Sequence, residues 1–263
     1  MLKAIVTGCG RSGTTMMINL LGQHSKIAPL YEVEFFQTIF SGIYDQTLEL
    51  VNALAVMCEW AACDGGLPFL NVVNTEQAPH KFGNKYCRVG MVDFINMAIK
   101  YTIDLGHGNV KGTKEFLDKF CDLHEEKGED TIIKNPSFIL FWEILLRDYP
   151  ALKVVHMIRD GRDVFASIKD QPWGSKEPAD HATAWNEYQT AIMDVPEENR
   201  IIVKYEDFCL NPDMKPIWEF LGLKEEKVDF SPRPVIKRYE RDLSKEEIGI
   251  YESVANLKEW GYK

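Results

Sequence analysis

The sequence predicts an α/β protein: a parallel central sheet flanked by helices, in three layers. Three observations point there. Short apolar runs that end in turn residues recur at 2–7, 131–134, 153–158 and 200–203. Stretches with helical spacing of apolar residues separate them, long enough for the crossovers that parallel strands require. The first run ends in a glycine-rich loop, Gly8-Cys9-Gly10-Arg11-Ser12-Gly13, and a helical pattern follows at once.

Element by element, Leu2–Thr7 reads as a buried strand. Gly13–Gln23 reads as a helix, with Met16, Met17, Leu20 and Leu21 on one stripe. Residues 34–64 carry a helical pattern, and 65–90, rich in Gly, Asn and Pro, read as loop. Val92–Ile103 and Glu115–Glu126 are further helices. Thr131–Lys134 is a strand, and Ser137–Tyr149 a helix with Ser137 as its cap. Lys153–Ile158 is a strand, Val164–Lys169 opens a helix, and Glu177–Met193 is a long one. Arg200–Val203 is a strand, Met214–Leu221 a helix stopped at Gly222, and Lys245–Leu257 a last helix. No linker or repeat marks a boundary, so residues 1–263 are expected to form one domain.

Composition narrows the function. The chain has 263 residues, 45% hydrophobic and 27% charged, enough for a core without disulfides or metals. Thirty Lys and Arg against 40 Asp and Glu give a net charge of −10. That balance argues against nucleic acid as a partner, though not against a local pocket for a small anion. No apolar run reaches the roughly 18 residues of a membrane span. The N-terminal apolar stretch is too short for a secretory signal. Six cysteines show no C-x-x-C and no metal-ligand spacing with histidine. A reducing cytoplasm is the expected compartment, unless an N-terminal anchor has been removed.

The loop carries the first chemical signal. Strand, glycine loop and helix together aim backbone N–H groups and a helix N-terminus at one spot, which suits phosphate or sulfate. Against G-x-x-x-x-G-K-[ST], the chain matches at Gly8, Gly13 and Thr15, but Thr14 stands at the lysine position. The phosphate cradle is kept, and the lysine that reaches the outer phosphates of a nucleoside triphosphate is missing.

Arg11-Ser12-Gly13-Thr14-Thr15 after a first strand resembles the 5′-phosphosulfate loop of the sulfotransferases. These enzymes use 3′-phosphoadenosine 5′-phosphosulfate (PAPS) and release 3′-phosphoadenosine 5′-phosphate (PAP). The resemblance implies their P-loop NTPase-like fold and assigns Gly10, Arg11, Ser12, Gly13, Thr14 and Thr15 to the cofactor. Further along, Arg159-Asp160-Gly161-Arg162 closes an apolar strand and Ser167 follows on the next helix. This is similar to the family's 3′-phosphate motif and assigns that phosphate to Arg159 and Ser167. An arginine fork at a strand end is well matched to phosphate. Arg162 reads as a structural arginine paired with an acid. Lys204-Tyr205-Glu206-Asp207, with Pro212 and Phe220-Leu221-Gly222-Leu223, resembles a further family segment, in which Tyr205 lines the nucleotide pocket.

Two segments concern catalysis. Lys134-Asn135-Pro136 resembles a turn of the tyrosylprotein and heparan sulfate sulfotransferases, whose lysine lies near the transferring sulfonate. Tyr31-Glu32-Val33-Glu34-Phe35-Phe36 resembles the segment holding the glutamate base of the heparan sulfate 3-O-sulfotransferases, and selects Glu32. Aromatic and apolar neighbours would raise that carboxylate's pKa and improve it as a base. Glu34 replaces a histidine of those relatives, and its role stays open. His80, His107 and His124 fall where other sulfotransferases carry a histidine base, but none sits in a matching motif.

The implied reaction moves a sulfuryl group from PAPS to an acceptor hydroxyl by in-line attack. Glu32 takes the proton, Arg11 and the loop hold the 5′-phosphate, Lys134 stabilises the sulfonate, and no metal is required. Two alternatives share the loop: a P-loop kinase of nucleotides or small molecules, with Asp160 holding Mg²⁺, and a PAPS-binding module without catalysis. The acceptor region is expected at about 37–110, mostly helical. Between Lys26 and Lys81 there is no Lys or Arg, while Glu32, Glu34, Asp45, Glu49, Glu59, Asp64 and Glu76 fall inside, with many aromatics. That wall would repel a sulfated polysaccharide and suit a neutral, cationic or apolar hydroxyl compound. Lys111, Lys114 and Lys119 are basic residues that could reach the cleft. Small molecules, saccharides and peptides all remain within the acceptor class.

Overall fold

The computed structural model describes residues 1–33, 87–106, 112–231 and 234–263. It holds a five-stranded parallel sheet, flanked by helices, as expected. The strands are β1 (Leu2–Thr7), β2 (Ile27–Tyr31), β3 (Asp130–Lys134), β4 (Lys153–Ile158) and β5 (Arg200–Lys204), in the spatial order β2-β3-β1-β4-β5. Residue character matches position. β1 and β4 are interior strands and bury all but their lysines, because helices cover both faces of a parallel sheet. β5 lies at an edge and buries only Val203 fully. Among the described residues β2 forms the other edge, and it contains Pro29, a residue that cannot donate to a ladder and is tolerated at an edge.

Packing divides the chain into two compact units. One comprises Met1–Ile5, Leu21–Asn135 and Glu143–Leu152. Here β2 pairs with β3 from Ile27–Asp130 to Tyr31–Lys134. Two helices, Met91–Gly106 and Gly112–His124, pack through edge-to-face aromatics: Phe94 lies 6.1 Å from Phe116 and 6.0 Å from Phe120. His124 ends the second helix fully buried. Its Nε2 faces the Pro29 carbonyl at 3.1 Å, and its Nδ1 accepts from the Arg88 N–H at 3.2 Å. Both ring nitrogens therefore serve the fold, which removes His124 from the candidate bases.

The other unit comprises Val6–Leu20, Pro136–Trp142 and Lys153–Lys263. β4 pairs with β5, from Val154–Arg200 to Ile158–Lys204. Helix α1 (Thr14–Leu21) follows the glycine loop. The helices Gly161–Ile168, Pro178–Asp194 and Lys245–Val254 surround a core built on Phe165, Trp185, Tyr251 and Tyr262. A capping box between Ser244 and Glu247 starts the last of these helices. Beneath the loop strand, His156 bridges the Thr7 hydroxyl at 3.0 Å and the Gln189 amide oxygen at 3.2 Å.

Three local expectations need correction. Ser137 does not cap an α-helix. Pro136–Phe141 is a 3-10 segment that buries Ser137, Phe138 and Ile139 in succession, and the α-helix begins only at Trp142. An apolar stripe at α-helical spacing would not bury three consecutive residues. The helix expected from Val164 starts three residues earlier, at Gly161, because the Asp160 side chain accepts from the Arg162 N–H and caps it. The last helix stops at Val254, and 3-10 geometry resumes at Leu257–Trp260. Two short helices, Tyr205–Leu210 and Tyr239–Asp242, carry no sequence period long enough to read. The helix expected at 34–64 and the loop at 65–86 lie outside the described residues. No helix among the described residues is long and apolar enough to cross a membrane.

Candidate functional site

The loop after β1 depends on its glycines. Gly8 has φ +139°, and a Cβ there would lie 2.3 Å from the Met157 carbonyl oxygen. Gly13 has φ +95°, and a Cβ would press within 2.7 Å of the Tyr205 ring. Both positions combine left-handed backbone with closed space, so side chains are excluded twice over. Gly10 has open surroundings, the nearest atom to its would-be Cβ being Ile168 Cδ1 at 4.0 Å. Arg11 also adopts positive φ, +69°, a strained backbone of the kind that concentrates at working sites.

Ser12 takes a different role from the one expected. It is fully buried, and its hydroxyl donates to the Cys9 carbonyl at 2.6 Å, to which its own N–H also points at 3.1 Å. A hydroxyl has one proton to give. Ser12 therefore closes the loop on itself through the Cys9 carbonyl. Thr14 is buried and Thr15 exposed at the start of α1, where the first N–H groups lack carbonyl partners within the helix.

The structure brings Arg11, Arg159, Ser167 and Tyr205 together within one unit. Arg11 Nε donates to the Ser167 hydroxyl at 3.2 Å. Arg159 sends Nη1 to the Arg11 carbonyl at 3.1 Å and Nη2 to the Val235 carbonyl at 2.6 Å. Its guanidinium lies 4.7 Å over the Tyr205 ring. Tyr205 thus supports both Arg159 and Gly13 from one side. Arg159 is buried, and its Nε has no hydrogen-bond partner among the described residues. Arg159 therefore ties three segments together and keeps one buried donor open.

One contributor escaped the sequence reading. Burial, and then the charges of Arg159 and Arg238, hold the Arg11 guanidinium below its ordinary pKa. Arg238 precedes the short helix Tyr239–Asp242. That segment is fastened by Tyr239 N–H to Asp163 Oδ1 at 3.0 Å and by Val235 to Arg159. The signal was present as Lys237-Arg238, but nothing local ties it to Arg11, far away at the other end of the chain.

Arg162 behaves as a structural arginine. It grips Asp160 through Nε and Nη2, at 3.0 and 2.7 Å, stacks 4.2 Å from the Tyr239 ring, and pairs with Glu252. Asp160 is committed to that pair and to its helix cap, which disfavours the Mg²⁺ role of the kinase alternative.

In the other unit, Glu32 and Lys134 meet directly. The Lys134 ammonium contacts Glu32 Oε1, and the Glu32 N–H donates to the Lys134 carbonyl at 2.7 Å. Lys134 is buried at a strand end, whereas the Glu32 side chain keeps 36% exposure. Glu32 has φ +37°, unusual for a residue with a side chain. The partner at the carboxylate is thus a buried cation. The apolar, aromatic surroundings expected for it would come from Phe35 and Phe36, which lie outside the described residues. Glu34, His80, His107 and Lys111 lie outside them too, as does most of the acidic, aromatic stretch.

Residues 4–227 match the model of the sulfotransferase family. The chain belongs to the sulfotransferase family. Among solved structures, it resembles a sulfotransferase from Alicyclobacillus acidocaldarius with a TM-score of 0.51 at 14% identity, over 99% of this chain and 98% of that one. It also aligns with the sulfotransferase domain of an olefin synthase from Synechococcus PCC 7002, with TM-score 0.46, 17% identity, and coverage of 100% and 83%. A Mycobacterium tuberculosis sulfotransferase aligns with TM-score 0.47, 16% identity, and coverage of 100% and 74%. A search of curated proteins found no match. The likeness to the Alicyclobacillus enzyme speaks for the fold alone, and the family membership rests on the sequence model.

Proposed function

We propose that this sulfotransferase binds PAPS and transfers its sulfuryl group to an acceptor hydroxyl, with Glu32 as general base. One observation carries the cofactor reading: Arg11 meets a hydroxyl and the field of two further arginines, and Arg159 keeps a buried donor open. Asp163 offsets Arg159 and Asp242 offsets Arg238, and a 3′-phosphate would supply negative charge to Arg11 and to the open Arg159 donor. The residues fit the group. Gly10 has open space beside it among the described residues, and the start of α1 adds N–H donors.

In this reading Arg159, Ser167 and Arg238 receive the 3′-phosphate. Gly10, Gly13, Thr14 and Thr15 hold the 5′-phosphate, with Arg11 between the two phosphates, and Tyr205 backs the nucleotide pocket. Ser12 keeps the loop closed. PAPS supplies the electrophilic sulfur and a leaving PAP. Glu32 accepts the acceptor's proton as its oxygen attacks, and the Lys134 ammonium orients that carboxylate and screens charge on the sulfonate. Carboxylate and ammonium already in contact need little reorganisation for this. For the acceptor, the missing Lys and Arg between positions 26 and 81 favour an uncharged or cationic hydroxyl compound over a sulfated polysaccharide.

Titration calorimetry with PAP and AMP tests the cofactor reading. PAP should bind about 30-fold or more tightly, the worth of a charge-assisted contact of roughly 2 kcal/mol or above. Equal affinities would overturn it. Labelled PAPS with phenols, sterols, simple sugars, tyrosine peptides and a heparan precursor then tests transfer and sorts the acceptor classes. Salt-sensitive turnover on the heparan precursor would reverse the acceptor reading alone.

A further inference from the structure

The glycine loop is fastened from the far side by a buried polar chain that the proposed chemistry does not use. Of residues 8–10, Cys9 alone carries a side chain, so it is the loop's one inward anchor there. Cys9 Sγ lies 4.0 Å from His181 Nε2, and His181 Nδ1 lies 3.1 Å from the Tyr251 hydroxyl. All three residues are buried. The His181 ring packs between Phe165, at 5.5 Å, and Tyr251, at 5.8 Å. The Tyr251 hydroxyl also fills the space a Cβ would need on Gly161, 2.4 Å away, where the helix bearing Ser167 begins.

Polar groups in such a core cost stability unless they bond one another, and an apolar filling would pack as well. What the polar chain adds is direction. Burial pushes the Cys9 thiol up to about 12 and the His181 imidazole down to about 4, so both are neutral near pH 7. A neutral imidazole has one donor and one acceptor nitrogen, and either tautomer joins sulfur to hydroxyl in one line. We infer that His181 and Tyr251 are positioning residues, which set the height of the glycine loop through Cys9. The C-terminal helix Lys245–Val254 would thereby set affinity for the 5′-phosphate end of the cofactor.

This rests on the reading of the loop as a 5′-phosphate site, so the test includes a readout without ligand. Tyr251→Phe keeps the ring, whose Cε1 and Cζ still face Gly161, and removes only the hydroxyl. His181→Phe keeps the stack and removes both nitrogens. Each should weaken PAP and AMP by the same factor, about five- to ten-fold, since both ligands share the 5′-phosphate. The double variant should be no weaker than the worse single one, because the two residues act in series. Without nucleotide, amide hydrogen exchange at residues 8–14 should rise in Tyr251→Phe by a similar factor. His181→Gln, whose amide reaches the Nε2 position, should restore part of the protection; His181→Asn should not. A lowered melting temperature with unchanged exchange at 8–14 would overturn the inference, as would multiplicative effects in the double variant. Failure of the wild type to bind PAP would strike the cofactor reading instead, leaving the exchange experiment to decide this one.

Discussion

The surroundings of Arg11 and of Glu32 treat charge in opposite ways. Arg11 meets a hydroxyl and the field of two more arginines, so its positive charge is not balanced by those neighbours. Lys134 meets a carboxylate, and the pair is balanced. Arg159 also pairs with Asp163 at 3.4 Å and Arg238 with Asp242 at 2.5 Å, so the charge that gains from an anion is centred on Arg11. A balanced pair has little affinity of its own, and a proton taken up by Glu32 leaves the buried Lys134 ammonium free to turn to the negative charge of the leaving group. In the proposed reading, the Arg11 surroundings bind and the Glu32–Lys134 pair moves the proton. That reading breaks if substitutions in the two units fail to separate affinity from rate.

The largest effect should come from Glu32→Gln. The amide keeps the shape and the contact with Lys134 but cannot take a proton. We expect kcat to fall about 10²- to 10⁴-fold with PAP affinity within about two-fold of wild type. Loss of PAP binding in this variant would erase the division of labour. An unimpaired Glu32→Gln beside an inactive Glu34→Gln would move the base by two residues.

Next in size are the loop glycines. Gly8→Ala sets a methyl 2.3 Å from a backbone carbonyl that has no rotamer to yield, and Gly13→Ala presses on an aromatic ring that can tilt. Gly8→Ala should therefore cost more, on the order of 3 kcal/mol of stability against roughly 1–2 for Gly13→Ala. Chemical denaturation measures both. In the Gly13→Ala protein that still folds, nucleotide affinity should drop while the Glu32–Lys134 unit is unaffected. The reverse ranking would mean that the loop is held less rigidly than its contacts imply.

Much of this was legible in the sequence because the relevant physics is local. Strand, glycine loop and helix follow one another within 20 residues, and a parallel sheet leaves buried strands as nearly continuous apolar runs. Arg159 and Ser167 were legible for the same reason, eight residues apart across one strand-to-helix turn. For Ser12 the sequence gives a hydroxyl but not the direction of its proton, which goes to the Cys9 carbonyl. Arg238 and the Cys9–His181–Tyr251 chain were illegible because they join positions 70 to 240 residues apart, with no period or motif to connect them. For Glu32, the carboxylate was legible but its neighbour was not. The pairing with Lys134 comes from adjacent strand ends in β2 and β3, a register that appears only once the sheet is ordered.

A smaller effect should follow Ser167→Ala. It removes one hydroxyl next to Arg11, worth about 1–2 kcal/mol in PAP affinity, with AMP affinity nearly unchanged. Paired calorimetric titrations read the difference. A matched loss for both nucleotides would place Ser167 near the 5′-phosphate and collapse the distinction between the two ends of the nucleotide.

The smallest effect is a dependence of stability on pH, and it compares the two units directly. His156 and His181 lie in the loop-bearing unit, His124 in the other, and burial lowers each from 6.5 to about 4. In the unfolded chain these imidazoles bind protons near pH 6.5, whereas in the native protein they resist until about 4. A depressed native pKa means stability is complete above 6.5 and is lost as pH falls toward 4, at up to about 1.4 kcal/mol per pH unit for each histidine. Denaturation midpoints between pH 6.5 and 5 isolate this contribution, because ordinary carboxylates titrate near 4. His124→Gln should remove about a third of the slope, since two of the three histidines remain. A slope untouched by His124→Gln would show that the loop-bearing unit unfolds first and alone sets the acid limit. A flat profile down to pH 5 would show that water reaches these rings in the native protein, and that the His181 chain is not the dry anchor inferred from its burial.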